Sequence, residues 1–160
     1  MKKIVAALLG AIMLLSFAAC GAKSPSTSAE EKPGDTMALA EIFETILADV
    51  SDLPAVMDIE INDENFESFL FIKPIAGAEA LASEGQISAI AHSAVLLRLP
   101  EGSDAAAVAA EIEANANPRK WVCVEAEKTI VKAHGNTILL VMSFTDTADS
   151  IAANFDALWA

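Results

Sequence analysis

Basic residues, cysteine and histidine are scarce in this sequence, and tyrosine is absent. Its 160 residues include 10 Lys and Arg against 23 Asp and Glu, which gives a formal net charge of −13. Nucleic acids and anionic lipid head groups are bound through basic surfaces, so this charge excludes both as expected partners. We interpret the excess of acids as a solubilising surface rather than as a cation-binding site.

The sequence motifs of common catalytic and metal-binding proteins are also missing. There is no Gly-x-Ser-x-Gly nucleophile elbow, no Ser-x-x-Lys pair at a helix start and no phosphate-binding loop. The two histidines, His92 and His134, lie far apart, and the acids of "DIEINDENFE" lack the central glycine of a calcium loop. We therefore predict no catalytic residue, no cofactor and no metal ligand.

One long apolar run is present, and it lies at the N-terminus. Lys2 and Lys3 precede an uninterrupted apolar stretch over residues 4–15, and the small residues Ala18 and Ala19 follow it. The run is shorter than the roughly 20 residues that cross a bilayer. A positive start, an apolar core and a small-residue cleavage site predict a secretory signal rather than a transmembrane helix.

The end of this signal, Phe17-Ala18-Ala19-Cys20, resembles the cleavage motif of bacterial lipoproteins. In that class the cysteine thiol receives a diacylglyceryl group, because a thiol is a strong nucleophile near neutral pH, and the cysteine becomes the first residue of the mature chain. Two acyl chains, such as palmitate, hold a protein stably on a bilayer. The resemblance implies lipidation at Cys20 and a cell-membrane location on the extracytoplasmic face.

Three regions follow from composition. Residues 1–19 are the predicted signal, residues 20–35 the lipidated cysteine and a flexible tether, and residues 36–160 a globular domain. The stretch "GAKSPSTSAEEKPGD" is small, polar and proline-containing, so it cannot bury enough apolar surface to order itself. The remaining residues suffice for one core but not for two ordinary domains.

The cysteine count excludes a disulfide framework. With Cys20 assigned to lipid, Cys123 has no partner within the chain. It lies between Val122 and Val124 without a nearby base, and we predict a small core residue rather than a reactive thiol.

Periodicity predicts the first elements of the domain. Apolar residues at helical spacing predict a helix over 37–50 capped by Thr36, and alternation in "VMDIEI" predicts a strand over 56–61. A short helix is expected within "NDENFESFLF". The Ala-rich segment "GAEALASEG" is predicted to be helical.

The second half of the chain alternates strands and helices. A strand is predicted over 94–99, a helix after a Ser103 cap, a hairpin of strands 129–133 and 137–144, and a terminal helix capped by Thr145 or Asp146. The turn residues Gly135 and Asn136 both tolerate positive φ. This order predicts an α+β domain, an antiparallel sheet with helices packed on one face.

The domain is also similar to a family of bacterial lipoproteins called domain of unknown function 4358. The similarity rests on "AVLLRLPEG", an acid-flanked helix, "NPRKWV" and the hairpin "IVKAHGNTILLVMS", within residues 37–158. An aromatic residue often precedes the hairpin in that family; it is usually tyrosine, and here it is Trp121. The resemblance implies the fold and the location, and it implies no catalytic or binding residue.

Four residues form the predicted partner surface: Trp121, Arg119, Lys120 and His134. An exposed tryptophan is typical of recognition surfaces, whereas a buried one is a core anchor. Arg119, Lys120 and the nearby Lys128 form the dense basic patch of an acidic chain; they either meet an anionic wall polymer or balance local acids, and we favour the second. His134 is expected at a hairpin tip.

We expect a lipid-anchored envelope protein that binds a protein or a small molecule and has no catalytic activity. The alternative is an envelope enzyme that acts on cell-wall or peptide substrates. A deep pocket with convergent polar groups would favour the enzyme, and an exposed apolar face near Trp121 would favour the binding protein.

Overall fold

The computed structural model describes residues 31–160, so the predicted signal, Cys20 and most of the predicted tether lie outside the described residues. The described chain forms helices and strands in the following order: α1 (Pro33–Thr36), α2 (Leu39–Leu47), β1 (Val56–Glu60), α3 (Phe66–Leu70), β2 (Glu79–Gly85), β3 (Ser93–Arg98), α4 (Ala105–Asn115), β4 (Lys128–His134), β5 (Thr137–Ser143) and α5 (Thr145–Ala157).

The strands form one antiparallel sheet in the order β1-β2-β3-β5-β4. Leu96 of β3 lies opposite Leu81 of β2 on one side and opposite Leu139 of β5 on the other. Helices occur before, between and after the strands, and the described chain forms a single domain. The predicted α+β class and antiparallel sheet are therefore confirmed.

Helices cover both faces of the sheet, so the prediction of helices on one face is wrong. Successive side chains of a strand point to opposite faces. Val95 and Leu97 of β3 pack with α3 and α4, whereas Ala94 and Leu96 pack with α2 and α5. The continuous apolar runs of β3 and β5 are typical of strands buried on both sides, and this is the physical reason for the two layers of helices.

Helix α2 is amphipathic as predicted, but it is shorter than residues 37–50. The Glu41 carboxylate accepts a hydrogen bond from the Ala38 backbone N–H at 2.9 Å, which marks the start of the helix in place of a Thr36 cap. Ala48 has extended backbone and ends the helix. The buried stripe consists of Leu39, Ile42, Phe43 and Ile46.

Strand β2 corrects the prediction of a helix in "GAEALASEG". Alanine, leucine and glutamate favour helices locally. In the folded domain β2 lies between β1 and β3 and pairs with both, and Ala82 and Ser83 are fully buried there. The ladder hydrogen bonds and the burial outweigh a local helix preference, which is a small term per residue.

The β4–β5 hairpin has a two-residue turn, Gly135-Asn136. His134 and Thr137 are the last paired residues, and Gly135 has a φ of 52°. A side chain disfavours this backbone conformation, which explains the glycine.

Arg98 fastens the first described residues to the sheet, although the sequence analysis assigns residues up to Asp35 to the tether. Its guanidinium nitrogens donate hydrogen bonds to the carbonyl oxygens of Met37 at 2.8 Å and Gly34 at 3.2 Å. The Gly34 N–H in turn donates to the carbonyl of Leu158 at 3.2 Å. The folded part of the chain therefore begins before the predicted boundary at residue 36.

Trp159 completes this attachment from the C-terminal side. Its indole N–H donates to Asp35 Oδ1 at 2.7 Å, and this bond, together with one from the Lys32 backbone N–H, holds the pKa of the Asp35 carboxyl below its usual range. The indole also lies against Gly34, where a Cβ atom would overlap the ring. The two ends of the domain are thus joined.

We expect the substitution Arg98→Met to lower the free energy of unfolding by about 2 kcal/mol, because two partly buried hydrogen bonds from a charged donor are lost. Urea unfolding followed by circular dichroism measures the change. Proteolysis near residues 32–37 should become faster in the variant.

Arg119→Met is the matched control. Arg119 forms an ion pair with Glu125, and its side chain is 75% exposed. Such a pair contributes about 0–1 kcal/mol. Equal stabilities for the two variants would contradict the fastening role of Arg98.

Candidate functional site

Lys120 is the centre of the candidate site. Its ammonium donates hydrogen bonds to Glu84 Oε2 at 2.8 Å and to Ser93 Oγ at 2.9 Å. Glu84 is on β2 and Ser93 is opposite it on β3, so both side chains point to the face that carries α3 and α4. Lys120 thus connects the chain after α4 to two neighbouring strands.

Two aromatic rings flank the same ammonium. Its nitrogen lies 4.7 Å from the centroid of the Phe69 ring and 5.2 Å from that of Trp121. Rings at these distances attract a cation through their negative faces. The side chains of Lys120 and Glu84 are each 14% exposed. Burial holds the pKa of the Lys120 ammonium below its usual range. The Glu84 carboxylate raises this pKa, but by less than burial lowers it.

The loop over residues 117–126 holds Lys120 and Trp121 in place. The Lys120 N–H donates to the carbonyl of Asn117, and the Asn117 side-chain oxygen accepts from the Arg119 N–H at 3.0 Å. The Ala126 N–H donates to the carbonyl of Pro118 and closes the loop. The Asn117-Pro118 pair, which follows the end of α4, therefore starts this loop.

Two adjoining clefts of about 320 and 360 Å³ open beside Lys120 and share Ser88, Lys120 and Trp121 in their walls. Val122, which lines the second cleft, is 100% exposed, and Ile87, the residue before Ser88, is 57% exposed. We call Ile87, Lys120, Trp121, Val122 and Cys123 together the Trp121 surface.

Cys123 is exposed on this surface, and the prediction of a core residue is wrong. A valine on each side suggests a buried strand, but residues 121–124 form a loop in which Val122 faces solvent. The adjacent valines therefore do not indicate burial here.

The local charges of the site are balanced. Lys120 pairs with Glu84, and Arg119 Nε lies 3.5 Å from Glu125 Oε2. The basic residues Arg119 and Lys120 are therefore balanced by Glu125 of the same loop and by Glu84, which is distant in sequence. Besides these paired charges, the surface exposes the apolar side chains of Val122 and Ile87.

His134 lies away from this site, so the structure brings together Arg119, Lys120 and Trp121 only. Its ring stacks on Trp159 with centroids 5.2 Å apart, and its Nε2 lies 2.8 Å from Asp156 Oδ1. Partial burial raises the pKa of Asp156, but hydrogen bonds from His134 and Lys132 outweigh it and lower the pKa overall. His134 thus joins β4 to α5.

His92 is a buried polar residue at the same end of the sheet, on the opposite face. Its Nδ1 lies 2.9 Å from Ser143 Oγ, and within the described residues its Nε2 and the Oγ of Ser83 have no hydrogen-bond partner. Burial lowers the pKa of His92 to about 4, and the Lys120 ammonium adds to the effect. The imidazole is therefore neutral near pH 7.

A hollow of about 480 Å³ beside α3 is a weaker candidate. Its polar lining consists of Asn62, Asp63 and Glu64. Asn62 is engaged in the local turn, because its side-chain oxygen accepts from the Glu64 N–H at 2.9 Å and its N–H donates to the Asn65 side chain. Asp63 and Glu64 are exposed to solvent. Among residues 31–160, no three His, Cys, Asp or Glu side chains are grouped to hold a metal ion. In the same range no helix has the length and apolarity to cross a membrane.

Sequence reasoning missed Phe69, Glu84 and Ser93. Glu84 lies in the segment predicted to be helical, and neither its pairing with Ser93 nor its distance from Lys120 is encoded by local spacing. The apolar run "FLFIKPI" that contains Phe69 is ambiguous on its own.

Comparison of the chain with models of protein families, with curated proteins and with solved structures gave no match. The function of the site is therefore argued from its geometry.

We expect Lys120→Met to lower the free energy of unfolding by about 3 kcal/mol, because it leaves the Glu84 carboxylate buried without its partner. The double variant Lys120→Met/Glu84→Met should recover part of this loss, since no charge then remains buried. Urea unfolding of the two single variants and the double variant measures the coupling.

Lys128→Met is the matched control, because the Lys128 side chain is 39% exposed in its pair with Asp149. A loss no larger than that of this control would show that the Lys120–Glu84 pair does not hold the loop.

A pH dependence follows from His92. In the unfolded chain it binds a proton below about pH 6.5, whereas the folded protein keeps it neutral down to about pH 4. Acidification therefore favours the unfolded state, and we expect His92 to remove up to about 3 kcal/mol of stability between these pH values. Stability is retained above pH 6.5.

Urea unfolding between pH 4 and pH 6.5 measures how the free energy of unfolding changes with pH. The variant His92→Gln should make this dependence weaker. An unchanged dependence would contradict the role of His92.

Proposed function

We propose that this protein is a lipid-anchored envelope protein that binds a partner protein through the Trp121 surface. Its anchor is the predicted lipidated Cys20, and its place is the extracytoplasmic face of the cell membrane. The similarity of Phe17-Ala18-Ala19-Cys20 to lipoprotein signals supports the anchor. The exposed apolar side chains of the folded domain support the binding role.

A fully exposed Val122 next to the partly buried Trp121 is the observation that carries the binding role. Exposed apolar side chains grouped around an aromatic residue are typical of protein interaction sites. Lys120 holds the loop from below through Glu84 and Ser93, so the surface is arranged before a partner arrives. Such preorganisation reduces the entropy lost on binding.

The dimensions of the clefts favour a side chain of a protein over a larger ligand. Volumes of about 320 and 360 Å³ lie at the lower limit for small-molecule sites. One aromatic or branched aliphatic side chain of a partner would enter such a cleft and occupy part of it, and Val122 and Ile87 would be covered at the same time. A small apolar molecule is the other ligand that these walls fit.

The enzyme alternative would assign chemistry to Lys120, whose pKa is lowered. A lysine that acts as a base or nucleophile needs a free amine that reaches the substrate. The Lys120 ammonium instead donates to Glu84 and Ser93 and is flanked by two rings. This arrangement favours a structural cation under a binding surface.

Purification of the full-length protein from its native membranes tests both parts of the proposal. We expect the Cys20→Ser variant to be lost from the membrane fraction, once unprocessed precursor is excluded. We expect Val122→Asp to stay in the membrane fraction and to lose at least about tenfold in affinity for the co-purified partner, because a charge would be buried in the contact.

Ala110→Asp is the control for the added charge, since Ala110 is exposed on α4. It should leave partner binding unchanged. Retention of Cys20→Ser on the membrane would contradict the anchor, and equal partner binding by Val122→Asp and the control would contradict the surface.

A further inference from the structure

The sheet has two edge strands, β1 and β4. In an antiparallel ladder, the N–H and C=O of one residue point to the neighbouring strand and those of the next residue point away. On β1, the Ile61 N–H donates to the Ala80 carbonyl of β2, so the odd-numbered residues face β2 and the even-numbered ones face outward. Outward groups without partners are a template for another strand.

Side-chain amides block the outer edge of β1. The amide of Gln86 donates a hydrogen bond to the Val56 carbonyl at 2.7 Å, and the amide of Asn65 donates to the Glu60 carbonyl at 3.1 Å. Both carbonyls belong to outward residues, at the two ends of the strand. A strand that approached β1 would have to displace both amides.

The outer edge of β4 is open. Just before β5, the Asn136 carbonyl accepts from the Leu99 N–H at 2.9 Å, so the even-numbered residues of β5 face β3 and the odd-numbered ones face β4. These pair with even-numbered residues of β4, which leaves three outward residues: Thr129, Val131 and Ala133. Among residues 31–160, their N–H and C=O groups have no hydrogen-bond partner.

Basic side chains disfavour pairing of this edge with a second copy of the chain. Lys128, Lys132 and His134 lie on the face of β4 that carries α5, where they contact aspartates. Each antiparallel register that pairs two or three outward residues puts Lys128 opposite Lys132 or His134 of the second copy, or one Lys132 opposite the other. Like charges directly opposite each other destabilise a strand pair.

The same side chains favour a strand that carries acids. Asp149 pairs with Lys128, but the one carboxylate of Asp156 serves both Lys132 and His134, so three basic side chains share two carboxylates. A lysine ammonium has three donors, which leaves some for a further carboxylate. A residue opposite Lys132 would form a non-hydrogen-bonded pair, in which side chains approach closely and opposite charges stabilise.

The other face of an added strand would meet small and apolar side chains. Thr129, Val131 and Ala133 lie on the face of β4 that carries α4, and Val131 packs against the core cluster there. Threonine and valine fit such a half-buried pleated surface well. The two faces of β4 therefore ask for different residues at alternate positions of the added strand.

We infer that the outer edge of β4 is a second interaction surface, and that it binds an extended segment of another protein with acids opposite Lys128 and Lys132 and β-branched residues at the positions between. Main-chain hydrogen bonds supply affinity in this mode of binding, and alternate side chains supply selectivity. The inference depends neither on the Trp121 surface nor on the anchor at Cys20.

Amide hydrogen exchange, measured by NMR on the full-length protein in detergent micelles, tests whether the edge is open. The amides of Ile130 and Lys132 bond to β5 and should exchange slowly. Those of Thr129, Val131 and Ala133 should exchange at least about tenfold faster. Slow exchange of both sets would show that the edge is already covered, by a second copy or by the chain itself, and would overturn the inference.

The probe for binding is the capped peptide Thr-Glu-Val-Thr-Val-Glu-Thr, whose glutamates have the four-residue separation of Lys128 and Lys132. We expect it to slow exchange at Thr129 and Val131, whereas a peptide with lysine in place of both glutamates should bind at least about tenfold more weakly. A peptide with N-methylated valines loses the main-chain donors and should not bind. Equal binding of the three peptides, or no binding of the first, would overturn the inference.

Two variants of the protein complete the test. Val131→Pro removes an outward N–H and keeps the ladder with β5, because proline is tolerated where the N–H faces away from the sheet; it should weaken binding at least about tenfold. Lys128→Glu/Lys132→Glu should reverse the preference and bind the lysine peptide more tightly, and this result decides the matter if the proline variant does not fold.

Lys73→Glu is the control for the change of charge, since Lys73 is exposed and lies outside the sheet. It should bind the glutamate peptide as the unchanged protein does. Val122→Asp should also bind this peptide normally, so failure of the β4 edge and failure of the Trp121 surface are separate results. An unreversed preference in the double variant, or equal weakening by Lys73→Glu, would overturn the inference.

Discussion

The burial of β3 and β5 on both faces is the constraint on which the rest of the structure depends. Each strand is paired on both edges, so every side chain of the two strands must fit one of two helical layers. Polar residues are therefore displaced toward the strand ends, where Ser93, Arg98, Thr137 and Ser143 lie. At these ends, side chains such as Arg98 and Ser93 form hydrogen bonds with segments outside the sheet.

The two ends of the sheet hold different parts of the chain. At the Arg98 end, hydrogen bonds from a guanidinium and an indole hold the beginning of the described chain. At the Ser93 end, an ion pair beneath two rings holds a loop whose outer side is apolar. The sheet therefore holds the beginning of the described chain at one end and the loop of the candidate site at the other.

The sequence predicts a large part of the fold. Helix α5, the β4–β5 hairpin and its Gly135-Asn136 turn follow from local patterns, because each has the period or the turn residues of its structure. The prediction from sequence fails for β2. The composition of this segment favours a helix, but in the fold it pairs with β1 and β3 as a strand. It also fails for Cys123, because flanking valines mark burial only in a strand and not in a loop.

By itself, the sequence determined which residues are apolar, where the chain turns and the lipoprotein-like stretch that ends at Cys20. Only the tertiary structure decided that helices cover both faces, that Lys120 meets Glu84 and that His134 is remote from Trp121. The physical reason is the separation along the sequence over which each kind of interaction acts. Periodicity and turn chemistry act between neighbours along the chain, whereas an ion pair between residues 36 positions apart requires strand pairing to bring them together.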